Sequence, residues 1–176
     1  MSGHTDLVWE GDQYDRERKS AARLLTIQSH MDLPPAAVMD LGANVGFFSY
    51  GLARAGYSVT AVEPPNEKAY DAALVAEHRQ WVQTPDDLPA GAYDYVLALS
   101  VLHHMPQWQA MLDHLLVHTR RALFVEVPAL SEMHHKWHGS RQSYEMLHDM
   151  PNAEIIGAFP DVAGTAYRDL WMVDLT

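Results

Sequence analysis

The stretch Val38-Met39-Asp40-Leu41-Gly42-Ala43-Asn44-Val45-Gly46-Phe47-Phe48 decides the fold. Its first four residues form a compact apolar run interrupted only by Asp40, which predicts a short buried strand. Gly42 supplies the backbone freedom for a tight turn, and Gly46 allows a ligand to approach the backbone closely. A helix that begins after such a turn presents unbonded backbone N–H groups above the strand end. The stretch therefore predicts a strand, a ligand-facing turn and a helix.

An acidic residue follows the next strand at an informative distance. The apolar run from Tyr57 to Val62 ends in Glu63, 21 positions after Gly42. Nucleotide-binding α/β folds place an acid about 20 residues beyond the glycine turn, where it holds ribose hydroxyls. A dinucleotide fingerprint begun at Gly42 would require two further glycines where this chain has Asn44 and Phe47. NAD and FAD are therefore disfavoured, and a phosphate-binding Walker loop is absent because no G-K-[ST] follows.

Segments with strand and helix character alternate along most of the chain. Strands are predicted at 38–41, 57–62, 81–83, 95–99 and 122–127, and helices at 15–31, 45–55, 66–78 and 106–119. This alternation predicts a Rossmann-like, doubly wound α/β fold with a mostly parallel sheet. Two later strand-like runs, 153–159 and 169–175, are joined by a loop containing Gly164 and predict an antiparallel C-terminal hairpin.

Three segments together resemble the class I S-adenosylmethionine (SAM)-dependent methyltransferases: DLGANVGFFS, AVEP and YDYVLALSVLHHM. The resemblance covers roughly residues 36–128. It implies SAM as the cofactor and leaves the methyl acceptor open. The cofactor-binding residues that it implies, including the two glycines of the turn, are Asp40, Gly42, Ala43, Asn44, Gly46, Glu63 and Ser100.

Two of these residues have specific expected roles. Glu63 would hold the two ribose hydroxyls, and Asp40 would lie near the methionine end of the cofactor, often through water. The alternative for Asp40 is that it binds the backbone N–H groups of the turn, because a carboxylate inside an apolar strand needs a partner.

Adenine recognition departs from the family pattern. The family commonly has an Asp and then a small residue after the third strand, and Thr84 and Pro85 stand at those places here. Proline has no N–H to offer the adenine ring. Either Asp86 substitutes through a shifted loop, or this contact is missing.

Methyl transfer from a sulfonium mainly requires alignment of the acceptor and exclusion of water. A base is needed only if the acceptor must lose a proton. His103 and His104 follow the fourth strand and are the candidate catalytic residues. The alternative is that one of them packs while the other faces solvent. Glu126, near the end of the fifth strand, either faces the acceptor or caps a loop.

No metal site is predicted. His134, His135 and His138 cluster in sequence, but no further ligand with recognisable spacing lies nearby. We expect residues 129–150, which also contain Trp137 and Tyr144, to form a lid or acceptor-binding insert.

Composition limits the remaining classes. The 176 residues, 48% of them hydrophobic, predict a single domain over 1–176 with an N-terminal helical segment at 1–33. The chain has no cysteine, no secretory signal pattern and no apolar run of membrane-spanning length, which predicts a cytoplasmic protein without membrane association. The net charge of −11 disfavours nucleic acid as a partner.

The leading hypothesis is thus a SAM-dependent methyltransferase with a small or flexible acceptor. A non-catalytic methyltransferase-like binding or assembly subunit is the first alternative. An NAD-dependent oxidoreductase is the second and is disfavoured by the glycine spacing. The oligomeric state and the acceptor are not predicted.

Overall fold

A computed structural model describes residues 20–65, 73–128, 140–160 and 166–176 of the chain. Within these ranges the strands are β1 Ala37–Leu41, β2 Ser58–Glu63, β3 Ala76–Arg79, β4 Tyr93–Leu99, β5 Thr119–Glu126, β6 Ala153–Pro160 and β7 Tyr167–Asp174. They form one seven-stranded sheet in the order β3-β2-β1-β4-β5-β7-β6. Strands β1 to β5 pair in parallel, and β7 pairs antiparallel with both β5 and β6. The predicted fold class is confirmed.

Helices cover both faces of this sheet. They are α1 at 20–29, α2 Phe47–Arg54, α3 Trp108–His118 and α4 Ser140–Asp149. Two short 3-10 turns lie at Pro85–Asp87 and Leu102–His104. The predicted beginning of the first helix, before residue 20, lies outside the described residues. In the described part of the chain, no helix combines the length and the apolar character needed to cross a membrane.

The third strand differs from the sequence prediction. Strand β3 is Ala76–Arg79, paired with the end of β2, where a helix reaching His78 was predicted. Residues 81–83, predicted as the strand, lie in the loop that follows, and Trp81 is 67% exposed. An edge strand is held by backbone hydrogen bonds on one side and needs little apolar surface, so its polar sequence has no strand-like pattern. The rest of the predicted helix, 66–72, is outside the described residues.

The sheet divides the core into two layers, and its central strand β4 contributes side chains to both. Successive side chains of a strand point to opposite faces. Val96 packs with apolar residues of α3 and α4 on one face, and Leu97 packs with those of α1 and α2 on the other. The sheet is therefore buried on both faces at its centre, which leaves its two ends as the places where a ligand can bind.

A polar cluster fixes the end of the sheet opposite the strands' carboxyl ends. Asp32, between α1 and β1, receives a hydrogen bond from the Tyr95 hydroxyl (3.1 Å) and pairs with Arg121 at 2.5 Å. The Tyr57 hydroxyl donates to the Asp32 carbonyl oxygen at 2.7 Å. These contacts hold the segment that leads out of α1 and thereby orient that helix on the sheet.

We expect Leu97→Ala to lower the free energy of unfolding by about 2–5 kcal/mol, because the side chain is fully buried and its removal leaves a cavity. Urea denaturation measures the change. Val117→Ala is the matched control, since Val117 is 79% exposed on α3 and its truncation should change stability by less than about 0.5 kcal/mol. A Leu97→Ala protein as stable as the control variant would contradict the assignment of the core.

Candidate active site

A cleft of about 580 Å³ opens at the carboxyl ends of β1, β2 and β4. In open α/β sheets ligands bind in the crevice outside these strand ends, and this volume lies in the range of small-molecule sites. The described residues that line the cleft are Leu41, Gly42, Asn44, Val62, Glu63, Pro64, Pro65, Gln80, Trp81, Val82, Gln83, Leu99, Ser100, Val101, His104 and Met105.

The turn after β1 forms one wall of the cleft. Gly42 has φ 76°, and the backbone N–H groups of Gly42 and Ala43 donate to the Val62 carbonyl oxygen at 2.8 and 3.2 Å. A Cβ atom at Gly42 would lie 2.7 Å from Cγ2 of Val101. Both the left-handed conformation and the close neighbour therefore require glycine at this position.

Glu63 is joined to this turn directly. The backbone N–H of Asn44, which has φ 53°, donates to Oε2 of Glu63 at 2.9 Å. The carboxylate is half-buried at the end of β2 and lines the cleft. A carboxylate fixed in this way beside a glycine turn has the chemistry required to accept hydrogen bonds from the two hydroxyls of a ribose, so these residues fit a nucleoside-containing cofactor.

Three other residues predicted at the cofactor site do not line the cleft. Ala43 and Gly46 are both buried and outside the cleft lining, and Gly46, with φ 81°, caps the beginning of α2. Asp86 is exposed in the 3-10 turn and also outside the lining. The predicted contact of these three residues with the cofactor stays a prediction.

Asp87, not Asp86, organises the loop after β3. Its Oδ2 atom accepts hydrogen bonds from the backbone N–H groups of Gln83 (3.0 Å) and Thr84 (2.9 Å) and from the Thr84 hydroxyl (3.0 Å). These bonds, that from Gln83 first, hold the pKa of Asp87 below its usual value. Asp87 thus closes the turn. On this side the cleft is lined by Trp81 and Gln83, two residues of the segment that was predicted to be a strand.

Asp40 has a partner that neither sequence hypothesis named. It is buried, and the Ser49 hydroxyl on α2 donates to its Oδ2 at 2.6 Å. Burial raises the pKa of Asp40 to about 6, the hydrogen bonds from Ser49 oppose this shift, and the charge of Glu63 adds to it. Asp40 therefore joins β1 to α2 beneath the turn and lies outside the cleft lining.

The two histidines have different environments. His104 is exposed and lines the cleft, whereas His103 is buried, with 3% of its surface exposed. Partial burial lowers the pKa of His104, and the positive charge of Arg168 lowers it further. A neutral imidazole at the cleft can accept a proton, so His104 remains the candidate base. His103 does not line the cleft, and its ring lies 4.1 Å from that of His104, so its predicted catalytic role stays a prediction.

A polar group that we call the arginine cluster lies beside the cleft and consists of Arg23, Ser100, Glu126 and Arg168. Ser100, with φ 55°, donates a short hydrogen bond from its hydroxyl to Oε1 of Glu126. Arg23 Nε lies 3.0 Å from Oε2 of Glu126 as an ion pair, and Arg168 Nη1 donates to Ser100 Oγ at 2.9 Å. Glu126 is thus a buried, charge-paired residue, and the two arginines are neighbours of the cleft-lining Ser100 that the sequence did not indicate.

Metal ligands and the predicted lid are only partly described. Within the described ranges no three His, Asp or Glu side chains come together as a metal site, and His134, His135 and His138 lie outside these ranges. Of the predicted lid, 129–139 is likewise outside. Its other half is α4, which packs on the sheet through the fully buried Leu147 and through the Tyr144 ring against Trp171. That half is part of the core.

Comparison with known proteins identifies relatives. Residues 13–160 match the model of a methyltransferase domain family. The chain is 35% identical over 83 residues to the ubiquinone biosynthesis O-methyltransferase of Paramagnetospirillum magneticum, covering 44% of this chain and 33% of the relative. It is 28% identical over 113 residues to the protein of the same name from Xanthomonas oryzae pv. oryzae, covering 58% and 46%. The chain thus spans from a third to about half of these relatives.

Two solved structures share the fold. Magnesium protoporphyrin IX methyltransferase from Synechocystis PCC 6803, determined with bound SAM, superposes with a TM-score of 0.70 at 21% identity, covering 100% of this chain and 87% of that one. The bifunctional kinase-methyltransferase WbdD also superposes with a TM-score of 0.70, at 24% identity, covering 88% and 39%.

Asp40 should make stability depend on pH. Because the folded state holds this proton more tightly than the unfolded chain does, the free energy of unfolding contributed by Asp40 falls as pH rises from about 4 to about 6. We therefore expect Asp40→Asn, which keeps the acceptor for Ser49, to gain about 2 kcal/mol relative to the native chain between pH 4.5 and pH 8. Urea denaturation at both pH values measures this.

Asp113→Asn, on the exposed surface of α3, is the matched control and should show no such gain. A stability difference between Asp40→Asn and the native chain that is the same at both pH values would contradict the shifted pKa.

Proposed function

The chain belongs to the methyltransferase domains that use SAM as methyl donor, and we propose that it is an active enzyme with a small or flexible acceptor. The observation that carries this proposal is the hydrogen bond between the Asn44 N–H and Glu63, which places a carboxylate and a glycine turn together in a cleft of suitable size. The cofactor roles of the individual residues, the cytoplasmic location and the activity of the whole protein remain predictions.

The lining residues suggest how the cofactor would be held. Glu63 would accept hydrogen bonds from the ribose hydroxyls, and Gly42 would allow close approach to the backbone of the turn. Trp81 and Gln83 line the cleft on the β3 side and are the candidates for contacts with the adenine ring, in place of Asp86. Bound there, SAM supplies an electrophilic methyl group on a positively charged sulfur.

His104 would serve an acceptor that must lose a proton. Its ring lines the cleft and stays neutral near pH 7 because its pKa is lowered. The remaining task of the chain is to align the acceptor and exclude water. Support for a small acceptor comes from the net charge of −11, which would repel the phosphate backbone of a nucleic acid over most of the surface.

We expect Glu63→Gln to weaken SAM binding at least tenfold, because a charged acceptor of two hydroxyl hydrogen bonds becomes a neutral one. Calorimetric titration with SAM and with its demethylated product, S-adenosylhomocysteine (SAH), measures the change. The control is Glu154→Gln, an exposed acid on β6 outside the cleft lining, whose affinity should match that of the native chain. Equal affinities in the two variants would remove Glu63 from the cofactor site.

The same titrations separate the alternative functions. A native chain that binds neither SAM nor SAH is not the proposed enzyme. Binding without transfer of labelled methyl groups from SAM to any component of cell extracts, fractionated into metabolites and macromolecules, would favour the non-catalytic subunit. Label in nucleic acid would contradict the proposed acceptor class.

For His104→Ala we expect the rate of methyl transfer to fall by about 10²-fold or more when the acceptor loses a proton, with SAM affinity unchanged. The rate of the native enzyme should level off above about pH 7, because the pKa of His104 is lowered from 6.5. His103→Ala is the comparison: we expect lower thermal stability but a normal rate per folded molecule. A full rate in His104→Ala would exclude His104 as the base.

A further inference from the structure

A pair of histidines lies on α3, at the end of the sheet away from the cleft. His114 and His118 are four residues apart and therefore share one face of the helix. Their rings are stacked at an angle of 11°, with the centroids 3.8 Å apart. His118 is the last residue of α3 and directly precedes β5, whereas the cleft opens where the parallel strands end. The pair is therefore separate from the proposed cofactor site.

A hydrogen bond fixes which nitrogen of the His118 ring carries the proton. Nδ1 of His118 lies 2.9 Å from the carbonyl oxygen of His114. A carbonyl oxygen can only accept a hydrogen bond, so Nδ1 is the donor and Nε2 of the neutral ring has a lone pair to offer. A histidine that binds a metal through one ring nitrogen typically donates its other N–H to a carbonyl or carboxylate oxygen. The ring of His118 is thus oriented to bind a metal through Nε2.

Both histidines line a crevice between α3 and the residues that lead into β4. Its volume is about 10 Å³, and its opposite wall includes Leu88, Gly91 and Tyr93. This volume is close to that of a single water-sized sphere. Among the described residues, none forms a hydrogen bond with a ring nitrogen of His114. The crevice can therefore hold one ion, and the lone pairs of both rings are available to it.

The charges around the pair favour a cation. Partial burial lowers the pKa of His114 and the charge of His118 lowers it further, so this ring is neutral near pH 7, as a metal ligand must be. The negative charge of Asp86 opposes this shift, which shows that it acts at the same ring. Asp86 lies in the 3-10 turn that packs against α3. The carboxyl end of the helix adds a partial negative charge, which also stabilises a bound cation.

We propose that His114 and His118 bind one divalent transition-metal ion through their ring nitrogens, with water completing the coordination and Asp86 supplying a nearby negative charge. The site has two protein ligands, whereas a structural zinc site has four, so we expect reversible binding. Imidazole nitrogens suit zinc, copper and nickel, whereas magnesium and calcium prefer oxygen ligands. The site does not depend on the proposed function.

Titration of the native chain with Zn²⁺, followed by NMR of the histidine side chains, tests the site. We expect the resonances of His114 and His118 to shift together with one midpoint, and the nitrogen chemical shifts to identify Nε2 of His118 as the ligand. The reference is His148, an exposed histidine on α4 without a second histidine one turn away. Its midpoint should lie at a zinc concentration about tenfold higher or more, because a single imidazole cannot chelate. Mg²⁺ should shift none of the three rings.

Single substitutions show whether the two rings act together. His118→Ala should weaken zinc binding at His114 about tenfold or more, and His114→Ala should do the same at His118, because each variant removes the chelate. His148→Ala is the matched control and should leave the midpoint of the pair unchanged. Alanine favours the helix, so all three variants should fold. Asp86→Asn should weaken binding about two- to fivefold at low salt, and less at high salt.

Three outcomes would overturn the site. Equal midpoints at His114, His118 and His148 would mean that the pair behaves as ordinary surface imidazoles. Unchanged zinc binding at His114 in His118→Ala would mean that the two rings do not act together. Zinc bound only by histidines outside α3 would place the metal elsewhere. The native titration decides between the first and third outcomes and the proposed site even if a variant does not fold.

Discussion

The structure of the site depends on how β1 and β2 are joined where they end. The carbonyl oxygen of Val62 accepts the N–H groups of Gly42 and Ala43, and the carboxylate of Glu63 accepts the N–H of Asn44. Three consecutive backbone donors of the turn are therefore bonded to the last two residues of β2. Without these bonds, the backbone N–H groups of the turn would need hydrogen bonds from water or from a ligand. The turn is fixed before a ligand binds, and Glu63 is fixed with it.

Strands β1 and β2 and the glycine turn after β1 could be predicted from the sequence for this reason. A short buried strand, a glycine with positive φ and an acid at the next strand end are local features, each set by a few adjacent residues. The parallel sheet and the C-terminal hairpin followed in the same way from the alternation of apolar segments. The exception was β3, where backbone pairing to β2 outweighs side-chain pattern, and where the apolar Trp81 lies at the cleft instead of in the sheet.

The arginine cluster could not be predicted in this way, because its residues come together only through the topology. Arg23 is on the first described helix and Arg168 on the last strand, and each resembles an ordinary surface arginine in its own segment. The packing of α1 on the sheet brings Arg23 to Glu126, and the antiparallel return of β7 beside β5 brings Arg168 to the same strand end. Asp40 gives a second example. Its partner Ser49 is one of several polar residues on α2, and nothing in the sequence distinguishes it.

The environment of His104 connects the cleft with the proposed chemistry. Partial burial is the main cause that lowers the pKa of His104, and the positive charge of Arg168 lowers it further. A histidine whose pKa lies below its ordinary value is neutral near pH 7, so its ring can accept a proton. The same shift makes it a weaker base than a solvated imidazole, so it would act best on an acceptor whose own proton is lost easily.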